Sequence, residues 1–319
     1  MYTDETVEMS IQYNWDSCIS EYILIKQSEG YKDGTIKNIQ STLGKFSEYC
    51  WDKGIKSPDS VQRMTVRQFM LAQQNKYSPR YVNAMLSKIR GFYSYLCLEC
   101  DLPEDKDPTR RLKFTKTDTT VIVPFTDDEV MQMIQAASSQ SNKFYAERDR
   151  LIIMILADCG LRVKELCLLK DSDVMDDRLL VNGKGDKQRM LYLTPTVAAQ
   201  VIRYKRVRKA YMEGKGLLVS KQRFFVNFRN EPFKNDGVQK LLKRLAKKCN
   251  IRTTVRVSPH TFRHWFAQSQ LKNGIDIYSL SKLLGHSSIN TTQVYLSGLV
   301  EDDILQGAIK TSPLLNIRK

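Results

Sequence analysis

Residues 283–296 read LLGHSSINTTQVYL, and the reading of this stretch decides which fold has to surround it. Leu283, Leu284 and Gly285 close one helix, His286 sits just past its end, and after a short polar stretch a second helix bears Tyr295. A free phenol has a pKa of about 10, so a tyrosine acts as a nucleophile only with a base at hand and cations around it. The plain alternative for Tyr295, one of 15 tyrosines, is an amphipathic side chain at a helix edge.

Two segments upstream also put phosphate-competent side chains where a core would take apolar ones. In SPHTFRHWFA, residues 258–267, Ser258-Pro259 starts a helix. His260 and Arg263 then share one face of its first turn, where unpaired N–H groups attract anions. A histidine able to exchange a proton near pH 7, beside an arginine fork, is a catalytic pairing; the alternative is a surface histidine and a solvated arginine. In DCGLRVKELCLL, residues 158–169, Arg162 and Glu165 are three apart on one face of a turn, among leucines that supply packing. An arginine fixed on such a scaffold suits a phosphate, because its planar fork makes two hydrogen bonds and stays charged. A local Arg–Glu salt bridge is the other reading.

Working outward, residues 178–182 and 190–193 alternate in strand fashion around Gly183-Lys184-Gly185-Asp186, which reads as a β-hairpin with a lysine at its turn. Lys187 and Arg189 make that turn basic, so Lys184 could also be one more cation in a solvated loop. Thr194-Pro195 starts a helix that ends in a basic stretch, a third short strand is expected around residues 224–228, and a helix containing LLKRLAKK follows. The first hundred residues read as four helices with apolar faces at spacings of three and four: 15–28, 35–53, one after Thr65 as N-cap, and one from Ser78-Pro79 to about Cys100. A proline-containing charged stretch, residues 101–124, has no helical period and reads as a linker. Thr126 and Glu129 then form a capping box that opens a second domain near Phe125. The expected division is 1–105, a helical domain; 106–124, a linker; 125–300, the domain bearing the three segments; and 301–319, a tail.

The chain has 319 residues, enough for two cores. Lys and Arg number 50 against 35 Asp and Glu, a formal charge of +15, which favours a polyanionic partner, nucleic acid first. No apolar run reaches the roughly 18 residues of a membrane helix, and MYTDETVEMS lacks the basic and apolar regions of a signal peptide. No membrane association and a cytoplasmic location are expected. The seven cysteines are odd in number and scattered, and Cys97 with Cys100 makes a lone CxxC, so reduced, packed thiols are expected.

Four elements now resemble the boxes of one family, the tyrosine recombinases. GLRVKEL resembles their first signature, GKGDKQR the hairpin that carries a catalytic lysine, HTFRHWFA the His-x-x-Arg box, and LGHSSINTTQVY the closing box, with nine residues from His286 to Tyr295. The order matches as well. The resemblance covers about residues 10–300, and the size and two-domain plan are similar to those of the Xer recombinases and the shorter integrases of mobile elements. Two departures stand out. Thr-Phe follows His260 where leucine commonly precedes the arginine, and nothing ahead of the helical domain reads as the arm-site domain of phage-lambda-type integrases, so bridging of two sites by one chain is not expected.

The resemblance implies a mainly α fold: an N-terminal four-helix core-binding (SAM-like) domain, and an α+β catalytic domain with a small antiparallel sheet, closing on DNA as a clamp. It implies that Tyr295 attacks a scissile phosphodiester to leave a 3′-phosphotyrosine and a free 5′-hydroxyl. Arg162 and Arg263 would hold the non-bridging oxygens and His286 would donate to them. His260 would take the tyrosine proton, Lys184 would protonate the departing oxygen, and Glu165 would orient its neighbours. Neither a metal nor ATP nor another cofactor is expected, because the cations stabilise charge and the phosphotyrosine conserves bond energy. Partners would be double-stranded core sites, three further copies in a tetramer passing through a Holliday junction, and a directionality factor; the tail could dock on a neighbouring protomer. In the N-terminal domain Thr35, Lys37, Ser78, Arg80 and Lys88 are candidate DNA contacts. The expected role is integration and excision of a mobile element. The alternatives are Xer-type resolution of chromosome or plasmid dimers, a type IB topoisomerase, and an inactive DNA-binding regulator.

Overall fold

The computed structural model describes residues 13–117, 122–183, 187–219 and 222–296, and the chain divides into two compact units, Met1–Thr119 and Thr120–Lys319. In the first, four helices follow one another: α1 (Trp15–Ser28), α2 (Asp33–Asp52), α3 (Arg63–Gln74) and α4 (Pro79–Glu99). Their apolar stripes meet in an aromatic core, in which Trp15 stacks on Phe92 and takes Phe46 edge-on, and Phe46 in turn meets Phe69. Caps set the entrances. Asn14 accepts from the amides of Asp16 and Ser17, and Ser78 accepts from that of Tyr81 ahead of Pro79. Lys88 donates to Asn38, and Lys45 to Tyr77, which lays α4 antiparallel to α2.

One helix start differs from the sequence reading. Thr65 is not an N-cap; it lies buried within the first turn of α3, whose N-cap is Gln62. Val61 and Val66 are both in the core, at the two positions of a hydrophobic staple, and their burial draws the helix start two residues upstream of the threonine. Residues 102–115 also pack on this unit: Leu112 is buried, its carbonyl accepts from Arg90, and Asn83 bonds the backbone of Thr115 in both directions.

The second unit is built on α6 (Lys143–Cys159), which follows α5 (Asp127–Ser138) and its Thr126–Glu129 capping box. Leu151, Ile152, Ile153, Ile155 and Leu156 are all fully buried, because this half of the helix is apolar on every side and has to be surrounded. Around it come α7 (Val163–Leu168), a hairpin of β1 (Arg178–Asn182) and β2 (Gln188–Tyr192), α8 (Pro195–Glu213), α9 (Asn235–Lys248), α10 (Pro259–Lys272), α11 (Ile277–Leu284) and the one-turn α12 (Asn290–Gln293). The hairpin is antiparallel, pairing Leu179 with Leu191 and Val181 with Arg189. Its second strand therefore begins at Gln188, two residues before the 190–193 expected, and its turn lies outside the described residues. No described helix is long and apolar enough to cross a membrane.

The third strand expected at 224–228 is absent among the described residues; Val226 makes only an isolated bridge with Pro232. Side chains have taken the backbone groups that a strand needs. Arg208 and Tyr204 both donate to the Phe224 carbonyl, Arg148 donates to that of Val226, and the Phe224 amide is spent on Leu169.

Gly160 ends α6 with φ at +57°, and a β-carbon there would lie 2.3 Å from the Phe266 ring on α10. Both the left-handed backbone and the close ring demand glycine. Gly160→Ala is expected to lower the unfolding free energy by about 2–5 kcal/mol, the sum of a left-handed residue and an overpacked contact. Urea denaturation checks this, and Phe266→Leu in the same chain should recover the packing part.

Candidate active site

Two helix ends organise the site. The last carbonyls of an α-helix have no partner within it and carry the negative end of its dipole. Gly160 closes α6 and Gly285 closes α11, both left-handed. Arg263, in the first turns of α10, donates to the Gly160 carbonyl at 2.7 Å and to the Leu284 carbonyl at 2.7 Å. Arg162 reaches the same α11 end, donating to Leu284 at 3.3 Å and Gly285 at 3.5 Å.

Glu165 is the carboxylate of this group. It accepts from the amide and guanidinium of Arg162, each at 2.9 Å, and from both terminal nitrogens of Arg189 at 3.0 and 2.8 Å. Burial would raise its carboxyl, but the hydrogen bonds and charge of Arg189, with those of Arg162, outweigh this and hold it below the usual range. Arg189 also donates to the Leu283 carbonyl, and a β-carbon on Gly285 would come within 2.9 Å of its guanidinium. Arg263 is 3% exposed and has no ion pair among the described residues. Burial first, then the charge of Arg162, pushes it down to about 10, with Tyr295 and Glu165 acting the other way. Two arginines thus share one carboxylate, and the third, Arg263, is left to carbonyls.

Tyr295 is 2% exposed, in a small apolar cluster with Phe266, Ala267, Leu280 and Leu284. It follows α12 rather than lying within it. Its ring meets His264 edge-on at 4.7 Å and lies parallel to His286 at 6.2 Å. His264 and His260 face each other Nε2 to Nε2 at 3.2 Å, and His286 lies 2.9 Å from Arg263 and 2.8 Å from the Thr292 hydroxyl. All three imidazoles are pushed toward the neutral form. For His260 the causes are burial and then Arg263, Arg162 and Arg256; His264 is lowered to about 4 by burial, His260 and Arg263; His286 is lowered to about 4 by burial, Arg263, Arg162 and Arg189.

Arg162, Glu165, Arg263, His286 and Tyr295 therefore come together, with His260 joined through His264. Lys184 lies outside the described residues. The N-terminal candidates are spread out: Thr35 and Lys37 are exposed at the start of α2, while Ser78 and Arg80 are exposed at the start of α4, beside Lys45. Ten residues along α2 put the two groups about 15 Å apart. The Lys88 ammonium is engaged with Asn38 and Thr42. Sequence reading had left Arg189 in a solvated turn. The signal that places it is alternation, since position 189 shares its strand face with the buried Leu191.

Relatives agree along most of the chain. Tyrosine recombinase XerD of Staphylococcus haemolyticus is 31% identical over 286 residues, spanning 88% of this chain and 93% of the relative. Tyrosine recombinase XerC of Thermodesulfovibrio yellowstonii is 28% identical over 274 residues, spanning 85% and 88%. In fold, the chain is similar to an integrase of the Tn1549 transposon in complex with a circular intermediate DNA, with a TM-score of 0.70 at 18% identity, covering 94% of this chain and all of that one. XerH recombinase bound to a palindromic difH substrate gives 0.68 at 19%, covering 88% and 80%. The chain belongs to the phage integrase family, whose model matches residues 123–300, and it is a site-specific tyrosine recombinase.

The depressed imidazoles make an acid-stability prediction. At pH 7 His264 and His286 are neutral whether folded or unfolded. Between about 6.5, the unfolded value, and about 4, the unfolded chain binds protons that the folded chain refuses. Stability should fall with pH across this window, with an uptake on unfolding of about two protons from His264 and His286, to which the depressed His260 adds in the same direction. Glu165 adds its loss only below, as the pH falls through its depressed value. Urea titrations from pH 7.5 to 4 check this, and His264→Gln should flatten the slope by about one proton.

Proposed function

We propose that this site cuts and rejoins duplex DNA through a covalent 3′-phosphotyrosine, and that a mobile element is the DNA so moved. The observation that carries the reading is the charge imbalance around Tyr295: Arg162, Arg189 and Arg263 beside Glu165, with Arg263 buried on carbonyls. Such a site favours an anion with several acceptor oxygens, and a phosphodiester supplies one. The Tyr295 oxygen forms a bond to phosphorus as the bond to the 5′-oxygen breaks. The phenolic proton passes to His260 and a proton from Lys184 goes to the leaving oxygen. Arg162 and Arg263 take the non-bridging oxygens, His286 donates to one of them, and Glu165, through Arg189 and Arg162, fixes the guanidiniums. The arginines provide the charge stabilisation, so neither metal nor ATP enters the scheme.

The N-terminal unit, with Thr35, Lys37, Ser78, Arg80 and Lys88, supplies further contacts to the core site. Residues 106–124 join it to a catalytic domain at 125–300, and residues 301–319, which lie outside the described residues, dock on a neighbouring copy in a tetramer that resolves a Holliday junction. A directionality factor completes the assembly, in the cytoplasm. A second reading, resolution of chromosome or plasmid dimers, is supported by the match to XerD and XerC along most of the chain. Sequencing the DNA around the gene separates the two. Core sites flanking the gene support a mobile element, whereas a distant site shared by sister chromosomes supports dimer resolution.

Two strand-cleavage experiments test the chemistry, on duplexes that the protein itself selects from a random pool. With a nicked substrate, Tyr295→Phe should bind as before and give no covalent complex on a denaturing gel; a surviving adduct would assign the nucleophile elsewhere. Lys184→Ala should keep binding and cleave about 10² to 10⁴ slower. Sulfur in place of the bridging 5′-oxygen leaves without protonation, so it should restore cleavage by Lys184→Ala and give little rescue to Arg162→Ala. Rescue of Lys187→Ala instead would move the proton donor to that residue.

A further inference from the structure

His286 is held from both sides of its ring, and the two contacts fix where its proton lies. Nε2 lies 2.9 Å from a terminal nitrogen of Arg263. A guanidinium only donates, so Nε2 must present its lone pair. The ring is therefore neutral and carries its hydrogen on Nδ1, which donates to the Thr292 hydroxyl at 2.8 Å. Burial and the charges facing it, Arg263, Arg162 and Arg189 against Glu165, oppose a second proton. In this form His286 accepts a hydrogen bond at the atom from which the proposed mechanism needs it to donate.

Donation to a phosphate oxygen requires the hydrogen on Nε2, which leaves a lone pair on Nδ1 pointing at Thr292. A hydroxyl is the group that serves either form, because it both donates and accepts. Thr292 is fully buried, whereas its neighbour Thr291 is exposed. Its carbonyl accepts from the Tyr295 amide at 3.0 Å, so one residue ties the imidazole to the segment that carries the tyrosine.

We infer that Thr292 is a positioning residue whose hydroxyl lets His286 change from the Nδ1–H form to the Nε2–H form when an oxyanion draws Arg263 away from the ring. This rests on the role given above to His286, but its test does not need strand cleavage. The chain has three histidines, so ¹⁵N-labelled imidazoles can be assigned by single substitutions. The free protein should show His286 as Nδ1–H. Saturation with inorganic phosphate should convert it to Nε2–H in the wild type, in Thr291→Val and in Thr292→Ser, while Thr292→Val should fail to convert.

On DNA, Thr292→Val should form the covalent complex about 10- to 100-fold more slowly at unchanged DNA affinity, less than the loss of a whole donor; Thr292→Ser should stay within about 3-fold of wild type, because it keeps the hydroxyl. An Nε2–H ring in the free protein, a doubly protonated ring with phosphate, or Thr292→Val converting or cleaving like the wild type would each overturn the inference. A covalent complex persisting in Tyr295→Phe would overturn the functional reading instead, and the phosphate titration would still decide this one.

Discussion

The hydrogen bonds from Arg263 to the carbonyls of Gly160 and Leu284 are the constraint on which the site depends. They require two helices to end at one place with their last carbonyls turned inward, and each helix has its own reason to stop. Gly160 must be left-handed and must lie under Phe266; Gly285 must be left-handed and must lie against Arg189. Phe266 is three residues beyond Arg263 on α10, so one face of that helix both packs the end of α6 and hydrogen-bonds it. The buried apolar run Leu151–Leu156 of α6 anchors this arrangement, because a segment enclosed by the core cannot shift without opening it.

Carbonyl dipoles do here what carboxylates do in most buried ion pairs. A carboxylate opposite Arg263 would neutralise it and leave nothing for a phosphate to gain. Neutral carbonyls solvate the guanidinium while preserving its charge, so an arriving anion meets a cation already stripped of water and oriented. Glu165 is placed so as not to undo this: Arg189 occupies it through both terminal nitrogens, and its remaining bonds go to Arg162. Anion binding should therefore stabilise the folded chain as well as fill the site.

What was legible in the sequence follows from the range of the forces involved. Caps and periodicity are local, and the starts of α1, α4, α5 and α10 were readable from residues within one turn. The entrance to α3 was not, since Val61 and Val66 act through a shared core rather than through a side-chain cap. The expected strand at 224–228 failed for a similar reason: its backbone groups are claimed by Arg148, Tyr204 and Arg208 from helices far away in sequence. The site motifs were visible because each lies within one segment, but the residues that bind segments to one another were not. Arg189 reaches from the hairpin to both α7 and the end of α11, and Thr292 means nothing until the chain turns His286 back over it.

The arginines also set the terms for proton transfer. Burial first, and then Arg263, Arg162 and Arg256, lower the proton affinity of His260, which costs driving force in the role of base proposed for it. They also keep it unprotonated at neutral pH, and an acceptor that is already protonated cannot work at all. His264 belongs to the same compromise. Its ring meets Tyr295 edge-on and is hydrogen-bonded to His260 through the two Nε2 atoms, so a second proton arriving on either ring must break that bond or put a positive charge beside Arg263. In the proposed scheme the negative charge growing on the phosphate offsets that cost, which favours removal of the Tyr295 proton as the bond to phosphorus forms.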